Sequence, residues 1–453
     1  MTTTIDPTAI ARFRSSLDCA VLLPDHADYD AARGVWNGMI DRRPAIIVRP
    51  ASVADVVAAV NFARENDLLV AVRGGGHNAA GLAVCDGGIV IDLSSMRAVL
   101  VDPDERRARV EGGATWGDFD REAQAYGLAT TGGVISTTGV GGLTLGGGLG
   151  WLMRRYGLAC DNLRSVEVVT AGGEVVYASE QDHADLFWGL RGGGGNFGIA
   201  TSFEFQLHPV TEVLGGMLIH PAERAAEVLR FVREFCATAP DELTVFAPLM
   251  TAPDGQRVLA LLVCYNGPIE AGEAALRPLR EYGPPVVDDV KPMPYKDLQG
   301  MLDEGFPAGL QVYWSGHFLT SLADEAIDVL VDRFATVSSP LNALLLEQFG
   351  GAVGRVGRDA TAFDHRDAAF NLAIVARWND PAEADQHIAW ARDVWQSMRP
   401  YATGAYVNYL GIDDSAERVK DAYGAGKYER LAALKSKYDP TNLFRLNQNI
   451  KPD

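Results

Sequence analysis

Glycine is clustered in this chain, and the clusters fall almost entirely in the first 200 residues: 74–76, 112–113, 132–133, 139–148 and 192–195. Of 453 residues 48 are glycine, against about 32 at the usual ~7%. Each glycine gives up more conformational freedom on folding than any other residue, so repeated clusters need a physical reason. Turn chemistry is one reason. The other is close approach of backbone N–H groups to an anion, typically a diphosphate. Five clusters in one half of a chain favour a large ligand. The densest run, TGGVISTTGVGGLTLGGGLGWLMRRYGLAC over 131–160, holds too many glycines for a stable helix or a central strand.

Two common nucleotide signatures fail on spacing. No GxxxxGK[ST] occurs, which argues against a phosphate-binding-loop NTPase. One GxGxxG does occur, Gly193 to Gly198, but it precedes a strand pattern instead of opening a helix, and it is read as chance. His77 stands directly after a β-branched stretch and RGGG. A lone histidine is more often structural than functional. Here the surrounding backbone already looks committed to a ligand, so contact or bonding to that ligand is a serious reading.

The first half alternates short strands and helices with glycine at the switches. VADVVAAVNFAREN (53–66) has helical spacing after a cap-like Pro50-Ala51-Ser52. Strands are predicted at 68–72, 87–96 and 107–111, a helix from about Gly117, and a hairpin across 162–179. Composition shifts near 210. Residues 211–410 carry helical patterns at 221–237 and 381–398, and strand patterns at 244–250, 257–264, 309–319, 343–349 and 370–378. The pattern is that of an α+β protein with a second domain built on a large sheet. The tail, 427–450, reads as a helix stopped by Asp439-Pro440 and then a loop.

Charge excludes whole classes of partner. Asp+Glu 59 against Lys+Arg 40 leaves −19, which repels phosphate backbones and anionic lipid, so no nucleic acid partner is expected. Five cysteines with no CxxC pair argue against a disulfide scaffold or a thiolate zinc site. No apolar run reaches the ~18 residues of a membrane span. The opening MTTTIDPTAIARFRSS has no basic stretch followed by an apolar core, so a cytoplasmic protein is expected.

RGGGHNAAG (73–81), TTGVGGLTLGGGLGWLMRRYGLACDNL (137–163), DLFWGLRGGGGNFGI (185–199), YVNY (406–409) and YDPTNLFRLNQNI (438–450) resemble, in order, the motifs of berberine bridge enzyme-like flavoprotein oxidases. These have the vanillyl-alcohol oxidase type of FAD-binding fold, and bacterial members include nicotine-type and antibiotic-pathway oxidases. The resemblance spans nearly the whole chain. It implies an FAD domain built from both chain ends, 1–206 and 411–453, and a substrate domain, 207–410, whose antiparallel sheet covers the flavin. It implies FAD as cofactor, bonded once, from the His77 imidazole to the flavin 8α-methyl carbon. Relatives with a second bond use a cysteine at the position of Ile135, so that link is expected to be absent. Cys85 and Cys160 are read as buried small residues.

The resemblance further implies that Arg73, Gly74, Gly75, Gly76, His77, Asn78 and Gly81 hold the cofactor. So, by the same likeness, do Ser136, Thr137, Thr138, Gly139, Gly141, Gly142 and Gly146, with Gly198 and Ile199, and with Asn447 and Asn449 beside Gln448. Thr138 fills the slot that tunes oxygen access in the family. Nearly isosteric with valine, it favours dioxygen as electron acceptor. The implied chemistry is a two-electron oxidation of a small-molecule alcohol, phenol or amine that yields hydrogen peroxide. A dehydrogenase using another acceptor, or a non-catalytic flavin carrier, are the alternatives.

For the base, Tyr409 matches the tyrosine of sugar- and cannabinoid-type relatives, and Tyr406, three residues before it, is the second candidate; the segment reads as a strand, on which residues three apart would face opposite ways. A free tyrosine titrates near ~10 and would need help to act at neutral pH. Glu347, in an apolar segment, should have a raised pKa. Strand alternation sends Glu347 and Gln348 to opposite faces, and the sequence leaves open which one meets the ligand. The nicotine-oxidising relatives carry lysine where Leu345 stands here and lack YVNY, which argues against a nicotine-type amine. His317, His365, Tyr313, Trp314, Trp378 and Phe349 are further candidates, with core packing the better reading for each.

Overall fold

The computed structural model describes residues 6–453. Residues 6–206 build two small sheets. One runs Ala20–Leu22, Ile46–Arg49, Ile89–Asp92, Val70–Arg73 in spatial order, parallel except for the first pair. The second is antiparallel, in the order Val99–Asp102, Arg107–Glu111, Ile199–Gln206, Leu163–Val169, Val175–Ser179. The helix Val53–Glu65 starts where Ser52 and Asp55 form a reciprocal capping box. The helix Trp116–Gln124 starts the same way, on Thr115 and Asp118.

The middle of the chain makes an eight-stranded antiparallel sheet that includes Arg257–Tyr265, Leu243–Thr251, Ala343–Gln348, Phe370–Trp378 and Gln311–Leu319 as consecutive neighbours. Period-two alternation gives this sheet two distinct faces. Leu344, Leu346, Leu372, Ile374 and Trp378 pack into a core with helices Ala225–Thr238, Asp324–Ala335 and Ala384–Met398. The opposite face, with Phe246, Leu262 and Phe318, joins the core of the first half. A residue on that second face therefore looks towards the glycine loops.

The predicted elements are present within a few residues of their expected limits, with two corrections: the glycine run, and the segment 406–409 at the cleft, which is a turn and not a strand. The glycine run contains two short helices, Val140–Leu145 and Met153–Tyr156. Glycine weakens a helix by roughly 1 kcal/mol per residue, but packing supplies what propensity lacks. Gly141 lies so near the second sheet that a Cβ there would sit 3.4 Å from the Phe203 ring.

The chain end returns to the first half. In the last turn of the helix Ala425–Tyr438, the fully buried Lys435 donates from Nζ to the carbonyls of Asn196 (2.7 Å) and Phe444 (2.9 Å) and to Asp439. These acceptors satisfy all three ammonium hydrogens and pin the tail against the 193–198 loop. No helix among the described residues is long and apolar enough to cross a membrane.

Candidate active site

Two adjoining cavities lie against the glycine loops, the first between those loops and the chain end, the second between them and the large sheet. With the open solvent at their mouths included, they span about 990 Å³ and about 1110 Å³. Val72, Gly74, Asn78, Ala83, Gly142 and Asn408 line both, so they form one cleft. The first is walled by Gly112, Gly141, Gly194, Gly195, Gly198 and Ile199, and by Asn447 and Gln448 from the tail. The second holds Gly75, Gly76, His77, Thr138 and Gly139 on one side and Trp314, Glu347, Tyr406 and Tyr409 on the other.

The glycine walls serve two purposes. Gly75 and Gly139 cross backbone to backbone, and a Cβ on Gly75 would lie 2.4 Å from the Gly139 nitrogen. Gly142 and Gly195 face open space, with nothing within 4 Å of a Cβ, so their missing side chains leave the cleft clear. Such a cradle, long, glycine-walled and mostly uncharged, fits a dinucleotide whose diphosphate is met by backbone N–H groups. The buried amide oxygen of Asn447, which lines the first cavity, has no partner among the described residues, so it is open to a ligand donor. FAD, with N–H donors on its rings and hydroxyls on its sugar chain, supplies donors of that kind.

Several expected contacts fall beside the cleft. Arg73 lies buried under the loop, bonded to Asp92 and to the Gly34 carbonyl (2.9 Å). A strand-end arginine needs a carboxylate when buried, and Asp92, its register partner, supplies one. Gly81 closes a turn on the Asn78 carbonyl, against Ile40. Ser136 is held by Asp303 through its N–H (2.8 Å) and its hydroxyl. Gly146 makes room for Asn408. Thr137 reaches the site only through His77, and Asn449 lines neither cavity. Conversely the Gly193–Gly198 loop, read as chance spacing, walls the first cavity without opening a helix.

His77 is fixed on two sides. Its Nε2 is 2.9 Å from Thr137 Oγ1, and Trp36 stacks on its ring at 5.1 Å and 16°. Burial lowers its pKa to about 4, so the imidazole is neutral at physiological pH and keeps a free lone pair.

Across the cavity, Glu347 projects from the face shared with the first half. Gln348 turns the other way, donating to the Cys236 carbonyl (3.2 Å) and accepting from Val245 N–H (3.0 Å). Glu347 is 1% exposed. Burial pushes its pKa up to about 7, against the opposing pull of hydrogen bonds from Asn371 and Tyr409. Tyr409 donates from its hydroxyl to both carboxylate oxygens, at 3.0 and 3.2 Å. Its own pKa is driven well above the phenol range by burial and by the adjacent Glu347.

Tyr406 and Tyr409 are not on a strand, contrary to expectation. Val407–Tyr409 is a single 3₁₀ turn closed by Tyr409 N–H on the Tyr406 carbonyl (2.9 Å). At three residues per turn, positions three apart eclipse, so the turn, unlike a strand, brings both rings to one cavity, 4.9 Å apart. The Tyr406 oxygen accepts from Gly148 N–H (3.0 Å) and Asn408 Nδ2 (2.8 Å).

Strand alternation sorts the remaining candidates. Trp314 lines the cavity, while its neighbour Tyr313 and His317 face a separate groove together with His365. Trp378 and Phe349 are core residues, and Cys85 and Cys160 are buried thiols. The sequence reading missed Trp36, Asn408, Phe306 and Asn371. Of these, only Asn408, inside YVNY, sat in a segment already under suspicion.

A profile described as FAD binding domain matches residues 44–179, and one described as Berberine and berberine like matches residues 405–451. An FAD-linked oxidoreductase of Dictyostelium discoideum is 35% identical over 421 residues, 92% of this chain and 91% of its own. Among solved structures, 6-hydroxy-D-nicotine oxidase from Arthrobacter nicotinovorans matches with a TM-score of 0.90 and 29% identity, over 99% of this chain and 100% of that one. Chitooligosaccharide oxidase matches with a TM-score of 0.87 and 25% identity, over 98% and 100%.

Proposed function

The chain belongs to the berberine bridge enzyme-like family of FAD-linked oxidoreductases, with their vanillyl-alcohol oxidase type fold, and from there we propose that it oxidises a small-molecule alcohol, phenol or amine by two electrons, using dioxygen. The observation that carries this reading is the buried Glu347–Tyr409 pair, which lines the same cavity as His77 and Thr138. We propose that residues 1–206 and 411–453 hold the cofactor and that 207–410 supply the substrate side.

When bound, FAD supplies the acceptor for a substrate hydride and hands the electrons to dioxygen, giving hydrogen peroxide. Its holders would be Gly74 to Asn78, Thr138 to Gly142, the 194–199 loop, and Asn447 and Gln448 from the tail. His77 is the point of covalent attachment. Thr137 holds the ring through Nε2; attachment at the 8α-methyl carbon would break one C–H and the imidazole N–H bond, their two electrons and two protons passing to the flavin and on to dioxygen. The glycine loop limits the motion of that ring, which favours attachment. Ile135, in the second cavity's wall, offers no thiol for a second bond.

Glu347 is the general base. A carboxylate titrating near 7 is matched to proton abstraction at neutral pH. Tyr409 stays a phenol there, so it serves as relay: it donates to Glu347 while its oxygen receives the substrate proton. Tyr406, its oxygen already accepting two hydrogen bonds, orients Tyr409 and walls the site. Thr138 leaves room for oxygen on the cofactor side.

The test is stopped-flow mixing of the chemically reduced yellow protein with air-saturated buffer. Reoxidation within a second or so, with peroxide formed in equal amount, fits an oxidase. Reoxidation over many minutes contradicts oxygen as the acceptor.

A further inference from the structure

We infer that the substrate is an uncharged aromatic alcohol or phenol recognised through its ring, and that anions and sugars are turned away. The inference rests on the oxidase reading and narrows its substrate.

The walls of the second cavity are largely aromatic and aliphatic. Trp36, Phe306, Trp314 and Tyr409 contribute aromatic rings, with Val134 and Ile135 beside them. The rings form a continuous belt from the attachment histidine to the base. Trp36 stacks on His77 at 5.1 Å, Trp314 lies 6.4 Å from Trp36, and Tyr409 lies 5.1 Å from Trp314. Aromatic rings pack best against other rings, edge-on or offset, at such spacings.

Charge points the same way. Among the described residues that line this cavity there is no lysine or arginine. Its histidine is neutral, and its one carboxylate is Glu347. A substrate carboxylate or phosphate would enter with no cation to meet it and would face a like charge.

Polar capacity is the third constraint. Asn408 Nδ2 already donates to Leu143 O and Tyr406, Asn78 Oδ1 already accepts from Leu82 N–H, and Trp36 Nε1 donates to Phe306 O. Beside the glycine loops, Asn78 Nδ2, Asn408 Oδ1 and the Thr138 hydroxyl remain; on the sheet side, where a substrate meets the base, what is left is the Tyr409–Glu347 pair and the unpartnered Trp314 Nε1. The sheet side suits a single hydroxyl on a ring. A hexose brings five, and each one buried without a partner lowers affinity by roughly tenfold. The fold alone does not set the class, because relatives of this architecture differ in what they act on. The wall of this cavity does.

The probes are phenol, benzoate and D-glucose, titrated into the yellow holoprotein under nitrogen at pH 8. Binding is read by calorimetry and by the shift in visible absorbance. Phenol should bind at least a hundredfold tighter than glucose and at least tenfold tighter than benzoate. Trp314→Ala should weaken phenol about tenfold, while Trp314→Phe keeps most of the affinity. Visible colour and melting temperature report whether each variant is folded. Phe306→Ala, on a different segment, should weaken phenol too and stands in if Trp314→Ala does not fold. Glucose or benzoate binding as tightly as phenol overturns the substrate class and leaves the FAD reading intact. So does phenol affinity unchanged in the folded alanine variants. A protein that is colourless and takes up no added FAD overturns the oxidase reading itself.

Discussion

Replacing Glu347 by Gln changes one atom and separates the chemistry of the carboxylate from its packing. The amide oxygen can still accept from Asn371, and its nitrogen can donate to the Tyr409 oxygen, so both partners keep a hydrogen bond. Moving a carboxyl from its ordinary 4.5 to about 7 corresponds to about 3 kcal/mol of preference for the protonated form in the folded protein. The sign follows from linkage. Between pH 4.5 and 7 the folded state holds a proton that the unfolded chain has released, so wild-type stability falls as pH rises through this window. The penalty is absent below it and complete above it. Glutamine carries no such penalty. The melting temperature of Glu347→Gln relative to wild type should therefore rise between pH 5 and pH 8. Over the same range wild-type turnover should climb through an apparent pKa near 7 as the base form appears, while the variant loses about 10²- to 10⁴-fold in kcat and shows no limb there. A variant that keeps the limb near pH 7, or is less stable than wild type at pH 8, refutes the assignment.

Tyr409→Phe removes a hydrogen bond that lowers the Glu347 pKa, so the kcat limb should move to higher pH, with kcat down by about 10- to 100-fold. His77→Ala should make FAD extractable by acid and lower activity, checked by the colour of the supernatant after precipitation. Gly142→Leu, where nothing lies within 4 Å of a Cβ, should fold with an unchanged far-ultraviolet spectrum and lose FAD. By contrast Gly75→Ala, with its Cβ 2.4 Å from the Gly139 nitrogen, should express poorly or melt well below wild type.

The sequence carried the fold in its strand alternation and the cleft in its glycines, because both signals are local and periodic. Glu347 could be singled out from its apolar surroundings, but not its direction. Glu347 and Gln348 are equally buried, one facing the cleft and one facing helices, and only sheet pairing distinguishes the faces. YVNY misled for a related reason: two aromatics flanking a short spacer look like a strand, and three residues are too few to tell that from a 3₁₀ turn. The helix Val140–Leu145 was hidden because packing on Phe203, from a strand 60 residues away, outweighs glycine's weak helix preference. Arg73 looked like a ligand contact until its strand partner, Asp92, claimed it. Trp36 and Phe306 gave no signal, since each belongs to the cavity only through contacts far along the chain, such as Trp36 Nε1 with the Phe306 carbonyl (3.1 Å).

The most direct test of the account is the mass of the tryptic fragment Gly74–Arg97 from denatured, extensively washed protein. This fragment should carry the added mass of FAD, with fragmentation locating it on His77. The unmodified fragment in full yield from visibly yellow protein, or the added mass on any other fragment, contradicts it.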